Sequence, residues 1–491
     1  MSIKALHRFF WIVVTLWLTI LFFHQLSADE AEHLHVAWLY ESRGLFPFHD
    51  FFQHHTPVLW DILSLYYKFG GEGPEIIYYG RGLVVLSGII TVFGFYTLGN
   101  HKGRTQNDIA LPGMLGILIF IFASTLMTNM FTIRAETVSF AAFTWSCVLW
   151  LKKSAQSTSK IYISDFLAGI LFGLAILSSP RFLMLGGVFL LFNKNRSHLF
   201  VKDPARYVTL TFGTALCVIS YIHFSYLSFL DFYHILAFSS FLQTIGDGKP
   251  IDESIIIFFA VALFFLYVVY RLDYSKQKFK YQWLSKSLYL LLLFLFAFVI
   301  AGKYRYSQDM TPLVFFICLL LIYYLPNLKN SLELKELAQG LTIAVCVFAL
   351  TNHDHLILGK KLIQDDIKRI HHDFSLIPAG EKIFLFPRQH PITADDSSYY
   401  VRPLSDSKNR LCNAVDLYSP LKKSPECNYW KDIKNNPPYL LTLDILKIIP
   451  EMLDNQVKEF VDINYFKCDR FYVRLPYTQT ECEAHEKLVS K

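Results

Sequence analysis

Residues 29–55, DEAEHLHVAWLYESRGLFPFHDFFQHH, decide how the chain is read. They follow directly on an apolar run that ends near Gln25, so Asp29, Glu30 and Glu32 stand at a membrane–water boundary. Acids are costly there unless a cavity solvates them or chemistry uses them. In a helix, Glu32 and His33 lie three and four residues beyond Asp29 and share its face. Gly44 suits a helix C-terminus, and Pro47 turns the chain ahead of a second acid, Asp50. An ordinary surface connection explains a polar loop. It does not explain one that also gathers His33, His35, His49, His54 and His55.

The rest of the chain supplies the membrane. Of 491 residues, 53% are hydrophobic and only 18% charged, and the mean hydropathy is +0.34. Repeated apolar runs mark an all-α polytopic membrane protein with about eleven spans. The expected spans are 8–27, 76–98, 109–128, 132–151, 161–178, 180–193, 206–226, 254–271, 284–302, 310–326 and 338–352. Lys4 and Arg8 precede the run Phe9–Phe23, which is long for a signal peptide and is read as an uncleaved first span. The net charge of +6 does not imply nucleic acid, because the cations are sorted by loop. Lys102 and Arg104 stand in one loop, Lys152, Lys153 and Lys160 in the next. Lys194, Arg196, Lys202 and Arg206 follow, then Arg271, Lys276, Lys278, Lys280 and Lys286, and finally Lys329 and Lys335. Under the positive-inside rule all of these are cytoplasmic. Loop 28–75 and everything after about residue 353 then face outward.

The expected organisation is a transmembrane domain, 1–352, followed by a small extracytoplasmic α/β domain, 353–491. Within loop 28–75, Thr56 is expected to cap a second short helix, Pro57 to open it and Gly70 or Gly71 to end it. Trp60, Tyr66 and Tyr67 would lie at headgroup depth. In the C-terminal part EKIFLFP and PPYLLTLDI read as strands and IIPEMLDNQVKEF as a helix. Cys147, Cys217, Cys318 and Cys346 fall in spans, where packing is the expected role. Cys412, Cys427, Cys468 and Cys482 fall in the external part, an even number that points to disulfides in an oxidising compartment. The short local loops favour Cys412–Cys427 and Cys468–Cys482.

A second set of cations breaks the charge rule. Arg81, Arg134 and Arg181 open spans at their external ends, and Lys303 and Arg305 close another there. Arginine holds phosphate by paired hydrogen bonds, so cations on the face that carries the acids point to a lipid-linked phosphate. Arg134 and Glu136 begin one helix together and could equally form an ion pair that fixes packing.

Asp29-Glu30 after the first span, HDFFQHHTPVLW, Arg134-x-Glu136 and Arg305-Tyr306 before Pro312 resemble the GT-C membrane glycosyltransferases. The branch they resemble holds the protein O-mannosyltransferases and the lipid A aminoarabinose transferase, and the likeness covers roughly residues 1–350. It implies transfer of a monosaccharide, with inversion, from a polyprenyl-phosphate donor to an extracytoplasmic lipid, glycan or protein acceptor. It implies a multi-pass protein of the bacterial inner membrane with its site facing the periplasm. Asp29 matches the catalytic base and Glu30 is its neighbour. The expected substrate-binding residues are Glu32, His33, Asp50, His54, His55, Arg81, Arg134, Glu136, Arg181, Lys303, Arg305 and Tyr306.

No cofactor is required by this chemistry. Phosphate, with a second pKa of about 6, leaves without a dedicated acid, so one carboxylate can suffice as base. Two other readings stay open. A glycolipid transporter would use the same charges as a path, though no matched pair of broken helices is present. A metal-dependent hydrolase would place a divalent ion on His33, His35, His54 and His55 with Asp29 and Asp50, though no HExxH spacing occurs.

Overall fold

A computed structural model describes residues 3–47, 55–71, 73–100, 114, 117–118, 120–121, 132–151, 158–180, 182–183, 186, 204–227, 229, 315, 319, 349–350, 352–375, 382–384, 395–396, 434–435, 437–442, 454–468 and 471–476. The helices are α1 (Ile3–Phe23), α2 (Ala28–Arg43), α3 (Val58–Lys68), α4 (Ile76–Asn100), α5 (Ala135–Leu151), α6 (Thr158–Ser178), α7 (Pro204–Phe224), α8 (His353–Ser375) and α9 (Asp454–Asn464). Five short strands join them: β1 (Lys382–Phe384), β2 (Asp395–Asp396), β3 (Leu440–Thr442), β4 (Tyr465–Lys467) and β5 (Phe471–Arg474). Two compact units result. One is formed by residues 1–24, 81–225 and 248–359, the other by 25–80, 226–247 and 360–491.

The first unit is a helical bundle. Ile76–Leu98, Ile161–Ser178 and Pro204–Phe224 are long and apolar enough to cross a membrane, and His7–Phe23 and Ala135–Leu151 are shorter apolar helices. The described spans differ from the expected bounds at one or both ends by two to five residues. α1 stops at Phe23 rather than continuing to residue 27, and α5 begins at Ala135 after three bent residues. The expected spans 254–271 and 284–302 lie outside the described residues, as do most of 109–128, 180–193, 310–326 and 338–352. The core is aromatic. Phe95, Phe120, Phe140, Phe182 and Phe315 are all fully buried, with Phe140 and Phe315 4.8 Å apart and Phe95 and Phe315 5.2 Å apart. Edge-on and tilted contacts of this kind add to the burial of each ring.

Between apolar helices in lipid, small residues and hydroxyls replace the hydrophobic effect as the source of specificity. Ser139 Oγ donates to the Ala175 carbonyl (2.9 Å) and Ser146 Oγ to that of Ala168 (2.8 Å), tying α5 to α6. Trp145 Nε1 reaches the Ile90 carbonyl of α4 at 3.0 Å. α6 and α7 approach most tightly at Gly169 and Gly213. A Cβ on Gly169 would fall 2.1 Å from the Leu210 carbonyl oxygen, and one on Gly213 2.3 Å from that of Phe166.

Arg206, assigned by the charge pattern to a cytoplasmic loop, is instead a buried residue of α7. Its Nε and Nη2 donate to both oxygens of Asp165 at 2.5 and 2.6 Å, and its guanidinium lies 5.0 Å from the Trp150 ring. Paired in this way, the buried carboxylate and guanidinium satisfy one another.

In the second unit β1 pairs in parallel with β2 and with β3, and β5 pairs antiparallel with β3 and β4, in the order β2-β1-β3-β5-β4. The strands expected at EKIFLFP and PPYLLTLDI appear as β1 and β3, and α9 overlaps the second half of the expected helix 448–460 and runs on to Asn464, residues 448–453 lying outside the described residues. The β4–β5 hairpin was not foreseen, because its alternation is interrupted at Cys468-Asp469-Arg470. Tyr465 Oη donates to the Pro438 carbonyl (2.8 Å) and Arg474 Nη1 to that of Pro437 (2.7 Å), anchoring the hairpin on the segment entering β3. Cys468 is disulfide-bonded. Cys412, Cys427 and Cys482 lie outside the described residues.

Candidate active site

α2 carries the acidic stretch, and its ends are set by its own residues. Ser27 Oγ accepts from the Glu30 amide at 3.3 Å, and Glu30 Oε2 accepts from the Ser27 amide at 2.9 Å. This reciprocal box satisfies two amides that no helical carbonyl can reach. The helix ends where Gly44 turns left-handed, at φ 64°, and donates its amide to the Leu39 carbonyl. Asp29 is the second residue of the helix. Its charge therefore sits at the positive end of the backbone dipole.

The burial of α2 is unusual for its composition. Glu30, Glu32, His33 and His35 are 0, 3, 1 and 0% exposed, while Asp29 is half-buried. Buried charges are tolerated only when partnered, and each of these groups is engaged. The best-defined partner is Trp60 on α3, whose Nε1 donates to His33 Nδ1 at 3.0 Å. His33 thus accepts at Nδ1, and a neutral ring in that state carries its proton at Nε2. Its ring stands 4.9 Å from that of His55, so these two expected site residues meet. His35 instead stacks on Trp38, 5.8 Å away.

Trp60, expected at headgroup depth, is therefore a buried residue (1% exposed) facing α2. The physical reason is its spacing. Trp60 shares the buried side of α3 with Val58, Leu59, Leu63 and Ser64, and Leu65, Lys68 and Phe69 are the exposed positions. The start of α3 also differs from expectation. Pro57 occupies the cap position in a helical conformation with no side-chain cap, and Thr56 is not the N-cap. The end agrees: Gly70, at φ 85°, donates to the Tyr67 carbonyl and Gly71 to that of Tyr66, a Schellman closure.

Tyr40 in the last turns of α2 gathers with Phe46 and Tyr226, with ring separations of 4.9 to 5.6 Å. Burial, then the Asp61 and Glu41 carboxylates, push the Tyr40 phenol above its ordinary value. Burial does the same to Tyr67, with Tyr66 and Glu75 adding to it. Both remain neutral at any physiological pH.

The expected cations fall differently. Arg81 is fully buried in α4. Its Nη1 donates to the Leu21 carbonyl (3.3 Å) and its Nη2 to that of His24 (3.2 Å), with a further contact to the His24 ring. These acceptors form the negative end of α1, so Arg81 caps that helix. His355 of α8 shares this surrounding. Burial first, then the His24 and Arg81 charges, lower its pKa against the opposing pull of Asp354. Arg134 and Glu136 are both buried and pair at 3.5 Å, the ion pair that their spacing at one helix start allowed. Asp50, His49, His54, Arg181, Lys303, Arg305 and Tyr306 lie outside the described residues. Among the described residues no three His, Cys, Asp or Glu side chains gather at one metal position.

Three participants escaped the sequence reading: Asp165 as the partner of Arg206, Trp60 as the donor to His33, and Asp366 of α8, whose Oδ2 accepts from the Leu26 amide. The α3 periodicity carried the Trp60 signal. The other two depend on partners far away in sequence.

No protein-family model and no curated protein matches the sequence. Its fold is nevertheless shared with solved structures. One is the crystal structure of ArnT from Cupriavidus metallidurans bound to undecaprenyl phosphate (TM-score 0.57, 12% identity, covering 91% of this chain and 94% of that one). Another is the apo state of the same protein (TM-score 0.52, 13% identity, 96% and 98%). The chain accordingly shares its fold with ArnT, in keeping with its apolar helices.

Proposed function

From that shared fold we propose that the chain is an integral membrane glycosyltransferase. It moves a monosaccharide from a polyprenyl-phosphate donor to an extracytoplasmic lipid, glycan or protein hydroxyl, and its membrane is the bacterial inner membrane. The observation that carries this reading is the likeness, over 91% of the chain, to a protein solved with undecaprenyl phosphate.

In this reaction the acceptor hydroxyl attacks the anomeric carbon from the face opposite the phosphate. The carbon–oxygen bond to the carrier breaks, the phosphate leaves with the electron pair, and the configuration inverts. Asp29 takes the acceptor proton late in attack. Its half-burial supports this assignment, since among the three acids in the first turns of α2 it keeps some exposure while Glu30 and Glu32 are buried. Glu30 is read as the capping residue that fixes the first turn, since its carboxylate already holds the Ser27 amide. His33 and His55 would orient acceptor or water, with Nε2–H of His33 as donor. The carrier phosphate falls to Arg134 and to the cations expected at Arg181, Lys303 and Arg305, through charge-assisted hydrogen bonds. Arg81, with Nη1 and Nη2 donating to the carbonyls that end α1, is read as holding the bundle.

The test uses the purified full-length protein with a panel of undecaprenyl-phosphate hexoses and pentoses and an envelope acceptor fraction, with and without EDTA. Asp29→Asn should lower turnover by about 100-fold or more while binding of undecaprenyl phosphate survives. Arg134→Ala should weaken both. Near-normal transfer by Asp29→Asn removes that residue from the base role, and EDTA sensitivity restored by zinc would return the histidines to a metal.

A further inference from the structure

The connector between α1 and α2 is only residues 24–27. The Leu26 amide follows the last turn of α1 and precedes the first of α2, so no helical carbonyl is placed to receive it. It donates to Oδ2 of Asp366 on α8, at 2.8 Å and across 340 residues of sequence. Asp366 is 4% exposed. A carboxylate buried to that degree is expensive unless it is used. α8 is itself fixed there by Ile363, fully buried one turn earlier.

The contact acts on Asp29 for a geometric reason. The Ser27–Glu30 box ties the first turn of α2 to itself, because both partners belong to that turn. It cannot set the direction in which the turn leaves the connector. A bond from a separate, packed helix can. Leu26 adjoins the capping serine, and Asp29 is three residues on, so movement of the Leu26 amide is passed to the Asp29 carboxylate with little chain to absorb it.

We propose that Asp366 is a positioning residue for Asp29, holding the entry to α2 so that the carboxylate meets the acceptor hydroxyl. This rests on the reading of Asp29 as the base. A displacement of about 1 Å at a reacting group costs on the order of 100-fold in rate, whereas carrier-phosphate binding by the cations does not depend on this turn.

The experiment compares wild type, Asp366→Ala, Asp366→Asn and Asp29→Asn as full-length proteins in nanodiscs. It uses whichever undecaprenyl-phosphate sugar the panel turns over, together with hydrogen exchange read by mass spectrometry. Asp366→Ala should lower kcat by about 10- to 100-fold with donor KM within about 2-fold. Asp366→Asn keeps an acceptor oxygen and should restore most of kcat. Exchange should accelerate in residues 25–31 and remain unchanged in α3 and α9. If the alanine variant does not purify as a folded protein, Asp366→Glu carries the test, because a carboxylate displaced by one methylene must lower kcat at constant KM. Wild-type kcat in Asp366→Ala or Asp366→Glu, beside an inactive Asp29→Asn, overturns the positioning role alone. Near-normal transfer by Asp29→Asn overturns the base reading, and this role with it.

Discussion

Replacing Gly169 by alanine tests the helix bundle at its tightest point. The added Cβ would lie 2.1 Å from the Leu210 carbonyl oxygen, where ordinary contact begins at 3.4 Å, and 3.0 Å from the Thr214 amide nitrogen. Both obstacles are backbone, so no side chain can swing aside. α6 and α7 must instead part by about 1.3 Å, the difference between those two distances. A gap of that size forfeits at least a quarter to a half of each dispersion contact across the seam. It also stretches the Thr214 hydroxyl bond to the Gly169 carbonyl (3.1 Å) and the Asp165–Arg206 fork (2.5 and 2.6 Å). Overpacking of this kind costs about 2–3 kcal/mol. The gain in helix propensity from glycine to alanine is about 1 kcal/mol at most, so strain decides the sign. The control is Gly82→Ala in α4, where a Cβ meets nothing within 4 Å. In detergent, thermal unfolding followed by loss of the monodisperse chromatographic peak should occur about 5 °C lower for Gly169→Ala and unchanged or slightly higher for Gly82→Ala. Equal midpoints for the two variants would refute the close approach of α6 and α7.

Trp60→Phe removes the donor to His33 and leaves a buried acceptor, at a cost of about 1–3 kcal/mol. Nitrogen NMR of labelled histidine should show His33 protonated at Nε2 in the wild type and losing that preference in the variant; an unchanged spectrum would count against the hydrogen bond. His355 predicts a dependence on acid. Its folded pKa is lowered by burial and by His24 and Arg81, so below about 6.5, the ordinary histidine value, the unfolded chain binds the proton first. Its contribution to stability is complete above that pH and is lost as the pH falls below it. Unfolding midpoints measured from pH 8 to pH 5 should therefore decline more steeply in the wild type than in His355→Gln, and parallel curves would refute the assignment.

Local chemistry wrote α2 into the sequence. Gly44, placed at a helix end from the sequence, closes it, and Ser27 with Glu30, a pair the sequence reading passed over, opens it; each works through hydrogen bonds to residues no more than five positions away. The spans that the structure describes were legible for the same reason, since an apolar run of sufficient length is a property of neighbours in the chain. So was the shared helical face of Asp29, Glu32 and His33. What the charges do was not legible. Arg206 read as a loop cation and proved to be the buried partner of Asp165; Arg81 read as a phosphate ligand and spends donors on the end of α1. Trp60 read as a membrane anchor and donates to His33. A long polar side chain reaches several ångströms in many directions, and only the packing of other helices removes all but one of its partners. Asp366 makes the point most sharply. Nothing near it in sequence distinguishes it from Asp365, yet tertiary structure buries the one against the Leu26 amide and leaves the other in solvent.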